Sequence, residues 1–170
     1  MQNLGVIYLF WRRKRHSKTK CSISITERVL GFIEGQACLA TKEETGGIIG
    51  GLGSVEEGSV VVSHASDGGP SAKRKRYFFS RDTVYCQKVV DVWASQSDGK
   101  VDYLGEWHKH FEDDPKPSIT DLQTLKTIAD KPDYHITTAL LLIIGNSNKR
   151  SSLRVFMIDN KGKCTRLNWF

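Results

Sequence analysis

Gly105-Glu106-Trp107-His108-Lys109-His110-Phe111-Glu112-Asp113-Asp114-Pro115-Lys116-Pro117-Ser118-Ile119-Thr120-Asp121 is the stretch on which the reading of this chain turns. Residues i and i+2 of a strand share a face, so a strand from Val101 to His110 aims His108 and His110 the same way. Pro115 and Pro117 then break the chain. From Ser118 to Asp130 the apolar residues Ile119, Leu122, Leu125, Ile128 and Ala129 recur at helical spacing. Asp121, in the first turn of that helix, is placed to join the two histidines. Two imidazoles, one carboxylate and a water make the open tetrahedral shell of a catalytic zinc, and imidazole favours zinc over magnesium or calcium. Two plainer readings stand beside this one. Alternating histidines also occur by chance on solvated strands. Ser118 and Asp121 also form a capping arrangement, which does not compete with a ligand role for Asp121.

Outward from this stretch the elements alternate. Ile136 to Ile144 is a nearly continuous apolar run, hence a central strand. Leu153 to Ile158 and Cys164 to Trp169 read as a closing hairpin around Asp159-Asn160-Lys161-Gly162. Upstream, Cys21 to Ile25 alternates as a strand. A helix from Thr26 follows, with Val29, Leu30, Ile33, Ala37 and Ala40 inward and Gly31 and Gly35 weakening it. Glu43-Glu44-Thr45-Gly46-Gly47-Ile48-Ile49-Gly50-Gly51 is a turn running into a buried, glycine-rich strand. Val55 to Ala65 is strand or hairpin, and Asp67-Gly68-Gly69-Pro70-Ser71 is a loop. Tyr77-Phe78-Phe79 is expected to pack under that loop's basic end. Thr83 to Ser95 fits a helix or paired strands. Mixed strands with interleaved helices predict an α/β or α+β sandwich, a mixed sheet flanked by helices, in a single domain over residues 1–170.

The chain has 170 residues and a formal charge of +6, enough length for one hydrophobic core. Arg12-Arg13-Lys14-Arg15 and Lys73-Arg74-Lys75-Arg76 dominate that charge. They suit an acidic surface or nucleic acid, though solvated loops are the plainer reading. Gly5 to Trp11 precedes its basic cluster, Arg12 to Lys20, the reverse of a secretory signal. A first strand and a basic loop are expected there. No apolar run reaches the ~18 residues of a membrane span, so a cytoplasmic location without membrane contact is expected. Cys21, Cys38, Cys86 and Cys164 contain no C-x-x-C pair, against a zinc ribbon or disulfide framework; small, mostly buried hydrophobes are expected.

H-x-H, seven residues, then S-x-x-D resembles the JAMM motif of JAB/MPN metalloproteases, which have a cytidine-deaminase-like sandwich fold. The upstream glutamate of that motif is matched by Glu44, which precedes Thr45-Gly46-Gly47-Ile48-Ile49-Gly50 as the family pattern requires. The resemblance covers about residues 22–158. It implies that His108, His110 and Asp121 bind Zn2+, that Glu44 rather than Glu43 is the general base, and that Ser118 supports the developing oxyanion. Two positions depart from the pattern. Lys109 stands where a small polar residue is usual, and should point away from the histidines. Phe111 stands where proline is usual, and is expected to line the substrate groove.

Glu44-Thr45-Gly46-Gly47, Asp67-Gly68-Gly69-Pro70, Phe79-Ser80-Arg81-Asp82 and Tyr103-Leu104-Gly105-Glu106-Trp107-His108 together resemble one bacterial group. These are the isopeptidases of CBASS anti-phage operons, which encode a cGAS-like nucleotidyltransferase, and of sister ubiquitin-like conjugation systems. The resemblance implies a deubiquitinase-like protease acting on a protein substrate with an extended C-terminal tail. Its partners would be an E1–E2-like conjugating enzyme and the modified nucleotidyltransferase or a ubiquitin-like conjugate. Independently of the resemblance, the loop from Asp67 to Arg76, basic in its second half, is a candidate clamp for an acidic or C-terminal segment, with an ordinary surface loop as the equal alternative. Two alternatives remain. Pro115 to Asp121 also resembles the RadC-like, nucleic-acid-associated branch, and some MPN proteins are non-catalytic scaffolds, though those typically lose ligands.

Overall fold

The computed structural model describes residues 21–134 and 136–170. The strand and basic cluster expected within residues 5–20 lie outside them. The described elements run β1 (Ser22–Ile25), α1 (Glu27–Leu39), β2 (Gly46–Ser54), β3 (Ser59–Ala65), β4 (Lys73–Lys75), β5 (Phe78–Ser80), α2 (Thr83–Gln96), β6 (Asp102–Lys109), α3 (Ile119–Asp130), β7 (Thr138–Ile144), β8 (Arg154–Asp159) and β9 (Cys164–Leu167). Seven strands form one sheet in the order β1-β3-β2-β6-β7-β8-β9. The pairs β1–β3 and β6–β7 are parallel and the others antiparallel, so the sheet is mixed as expected. Beyond β9 the chain returns to β1, where Phe170 N–H donates to Ile23 O at 3.0 Å.

The sheet carries a core on each face. Leu140, Leu142 and Ile144 of β7 pack with Val29, Leu30, Ile33 and Ala37 of α1. Leu141 and Ile143 point the other way, toward Cys86 and Trp93 of α2 and Leu125 and Ile128 of α3. Burial on both faces is why this strand reads as an unbroken apolar run. Gly31 and Gly35 do not end α1. Both lie on its exposed face, where they lower helix propensity without opening a hole in the core. Ala40, expected on the inner face, is past the helix end.

The ambiguous segment before β6 is a helix capped by Asp82, whose carboxylate accepts from Tyr85 N–H at 3.0 Å. Within the segment from Val55 only Ser59–Ala65 is strand, the residues before it forming the turn from β2. Three other expectations need correction. Among the four cysteines only Cys86 is buried; Cys38 and Cys164 are exposed and Cys21 is half-buried. Lys73-Arg74-Lys75 is not a loop but a short strand paired with Phe78–Ser80, although Lys73, Lys75 and Arg76 do face solvent. Of the three aromatics that follow, only Phe79 packs inward; Tyr77 and Phe78 are exposed.

A bulge in β6 decides what the site can be. Ile49 pairs with Gly105 and Gly50 with Tyr103, so Leu104 is an extra residue in the ladder. Alternation therefore restarts at Gly105, whose φ of +147° is glycine territory and whose missing Cβ would collide with Leu140 O. Tyr103 lies in the core with α2 and α3, while Leu104 and Trp107 lie in the core with α1. Without the bulge, Trp107 and Lys109 would share the face of Tyr103. With it, Glu106 and His108 take that face.

Candidate metal centre

The end of β6 delivers His108 and His110, both buried, to the head of α3. Ser118 is the helix N-cap. Its Oγ accepts from Asp121 N–H at 3.1 Å, and Asp121 Oδ2 accepts from Ser118 N–H at 2.7 Å, a complete capping box. The cap thereby fixes the carboxylate that faces the histidines. His108 Nδ1 lies 3.0 Å from Asp121 Oδ1, and His110 Nε2 lies 3.5 Å from Asp121 Oδ2. One donor atom from each of the three residues falls within 4.8 Å of the others. Two nitrogens and a carboxylate oxygen converging in a buried site fit a metal of the zinc type.

The electrostatics agree with a cation. Burial pushes the His108 imidazole down, but Asp121 and Glu106 outweigh it and bring it up to about 9. Burial likewise raises Asp121, and its hydrogen bond with His108 overrides that, holding the carboxyl down at about 2. His110 is held below the usual histidine value by burial. A pocket that draws positive charge onto an imidazole is one that suits a metal ion.

Glu44 enters from the segment between α1 and β2, its N–H donating to Lys75 O at 2.8 Å. It lines a cavity of about 490 Å3 together with His110, Ser118, Tyr77, Glu112 and Pro117. Burial, then the nearby Asp121, raises its carboxyl to about 7. Glu43 is exposed. Gly46 leaves the room this arrangement needs: a Cβ there would collide with Trp107 O and stand 2.9 Å from His108 Cδ2.

Lys109 points away from its neighbours, as strand alternation requires. Its Nζ is buried under α1 and donates to Ala37 O at 2.9 Å and Ala40 O at 2.6 Å. Phe111 sits beside Tyr77, ring centroids 6.5 Å apart, and Tyr77 is the one of the two that lines the cavity. Two neighbours of His108 escaped the sequence reading. Glu106 Oε2 is 3.2 Å from His108 Nε2, and the Phe79 ring stands edge-on to the imidazole at 5.3 Å. Glu106 had one available signal, its i−2 position on the histidine face of the strand. Phe79 stood in one of the segments that carried the family resemblance, but nothing there placed it beside His108, since it arrives from a separate hairpin.

The sequence comparison agrees with this geometry. Residues 26–158 match the family described as prokaryotic homologs of the JAB domain. The chain belongs to this prokaryotic JAB family. A "CD-NTase/cGAS isopeptidase" of Escherichia coli (strain TW11681) is 32% identical over 110 residues, 64% of this chain and 65% of the relative. A protein of the same name from Pseudomonas aeruginosa (strain BWHPSA011 / Pa011) is 31% identical over 120 residues, 71% of this chain and 72% of that one. "Probable metalloprotease y4qB" of Sinorhizobium fredii is 34% identical over 103 residues, covering 59% and 62%. The match thus spans less than two thirds of the first relative's length. The solution structure of protein DSY2949 from Desulfitobacterium hafniense shares the fold, with a TM-score of 0.62 over 87% of this chain and 91% of that one at 18% identity. No helix among the described residues is long and apolar enough to cross a membrane.

Proposed function

We propose that this chain is a zinc-dependent isopeptidase that cuts after the extended C-terminal tail of a conjugated protein. His108, His110 and Asp121 hold the zinc, Glu44 is the general base and Ser118 stabilises the oxyanion. The observation that carries the reading is the convergence of three buried donor atoms within 4.8 Å beside a cavity lined by Glu44 and Ser118. When bound, zinc supplies Lewis acidity, polarising a carbonyl and bringing the pKa of water toward about 7.

The chain's own groups do the rest. A carboxyl near 7 exchanges protons readily at neutral pH. Glu44 therefore takes the proton from the attacking water and returns it to the amine that leaves. Ser118 Oγ already accepts a hydrogen bond from Asp121 N–H, which leaves its O–H to donate to negative charge forming on the carbonyl oxygen. Tyr77 lines the cavity, and Arg76 stacks over it at 5.4 Å. The exposed Lys73 and Lys75 lie on the same hairpin, so an extended tail bearing acidic residues or a carboxylate suits this rim. The names of the relatives point to a cGAS-like nucleotidyltransferase conjugate as substrate and hence to an E1–E2-like enzyme as partner.

The test has two parts. Protein purified without chelators is expected to contain near-stoichiometric zinc and to release an amine from a lysine-linked tail conjugate. Glu44→Gln is expected to keep the zinc and lose cleavage by about 100-fold or more. A metal-free wild type, or wild-type cleavage by Glu44→Gln, would sink the reading.

A further inference from the structure

The Arg81–Glu106 pair is more than a buried salt bridge. Glu106 lies two residues before His108 on the same face of β6 and is 3% exposed. Its Oε1 accepts from Arg81 Nε at 2.6 Å, and its Oε2 lies 3.2 Å from His108 Nε2. The other ring nitrogen, Nδ1, is the one facing Asp121 at 3.0 Å. The two nitrogens of His108 are therefore divided, one toward the metal site and one toward Glu106. Arg81 is itself fixed in place. It precedes Asp82, whose N–H donates to Gly68 O at 2.7 Å and whose carboxylate caps α2.

We infer that Glu106, oriented by Arg81, is a positioning residue for the metal centre, holding the proton of His108 on Nε2 so that the Nδ1 lone pair faces the metal. This rests on the zinc reading above and adds to it a line of residues, Arg81 to Glu106 to His108, that runs from the start of α2 to the site. A partner for the remote nitrogen fixes both tautomer and ring orientation of a ligating histidine. It also accounts for a glutamate buried on the face of β6 that carries the core against α2 and α3. Ion pairing to Arg81 alone leaves the second carboxylate oxygen without a purpose, and that oxygen is the one on His108.

The experiment is a chelator-competition titration of zinc against the full chain, run beside urea unfolding. The double variant Arg81→Met/Glu106→Leu removes the pair without leaving a lone charge, a replacement that buried ion pairs often tolerate. It is expected to fold and to bind zinc about 10- to 100-fold more weakly. Glu106→Gln keeps a neutral acceptor at the same place and is expected to recover part of that loss. In zinc-loaded protein labelled with 15N-histidine, His108 is expected as the Nε2–H tautomer, and this signature is expected to be lost in the double variant. Wild-type zinc affinity in the folded double variant would overturn the inference, leaving the pair a purely structural one. A wild type that binds no zinc would instead remove the site reading on which it rests.

Discussion

Replacing Lys109 by methionine isolates what the buried ammonium contributes. Its Nζ donates to Ala37 O and Ala40 O at the end of α1. Neither carbonyl has a backbone alternative nearby, because Thr41 N–H turns to Leu39 O and Glu44 N–H to Lys75 O. Methionine keeps most of the stem's packing and removes only the donors. A buried acceptor left bare costs about 1–3 kcal/mol. Ala37 is fully buried, so about 2 kcal/mol applies there, and the half-buried Ala40 carbonyl, which water can reach, adds roughly 1 kcal/mol. Burial also holds the Lys109 amine below its usual pKa, so removing the charge returns some desolvation cost. A net loss of about 2–3 kcal/mol follows, which for a chain of this size is a fall of roughly 5–10 °C in Tm. Lys109 N–H also donates to Thr45 O at 2.7 Å, so strand and side chain together hold both ends of the segment carrying Glu44. Cleavage is expected to fall along with stability, while zinc content holds. Urea unfolding with a fixed m-value reads the first effect. A loss under about 0.5 kcal/mol would refute the account of Lys109 as the cap of α1.

Asp121→Ala is expected to lose the metal and about 1 kcal/mol of α3 capping, whereas Asp121→Asn keeps an oxygen to accept from Ser118 N–H and loses mainly the metal; zinc analysis beside unfolding separates the two. Gly46→Ala drives a methyl into Trp107 O and the His108 ring, and should cost about 1–3 kcal/mol and weaken zinc binding together, read by the same pair of measurements. The proton-accepting form of Glu44 exists above its pKa, raised to about 7 by burial beside Asp121. Cleavage should therefore be lost as pH falls through a midpoint at or below that value, since a nearby cation favours the ionised carboxylate. A pH–rate profile with an unchanged acid limb in Glu44→Gln would count against the base assignment.

Much of this was legible in the sequence because it rests on local patterns. The i, i+2 spacing put His108 and His110 on one face, and Ser118 with Asp121 announced a cap that the structure bears out. What the sequence could not say was which face. That choice belongs to the bulge at Leu104, whose only trace is a glycine after it, and a one-residue shift of register moves every side chain across the sheet. The helix α2 was ambiguous for a related reason. It buries only Cys86 and Trp93, so its apolar face is too shallow to write a clear period. Cys38 and Cys164 were expected inside because cysteine usually is, a tendency of composition that no spacing supported.

Glu106 and Arg81 were missed because an ion pair between residues 25 positions apart leaves no periodic mark. The two departures from the family pattern make the complementary point. Lys109 and Phe111 touch: the ammonium lies 5.1 Å from the Phe111 ring centroid, and Arg76 covers the same ring at 5.7 Å. Proline after the second histidine would stiffen the chain through its fixed φ. Here the same segment is held by contact instead, with Phe111 against Tyr77 and the basic hairpin and Lys109 anchored under α1. The restraint has moved from the backbone of one residue to packing between β6, α1 and the hairpin. The hairpin that rims the cavity is thereby tied to the strand that carries both histidines. Phe111, which follows His110 directly in the chain, is the residue at which the hairpin and that strand meet.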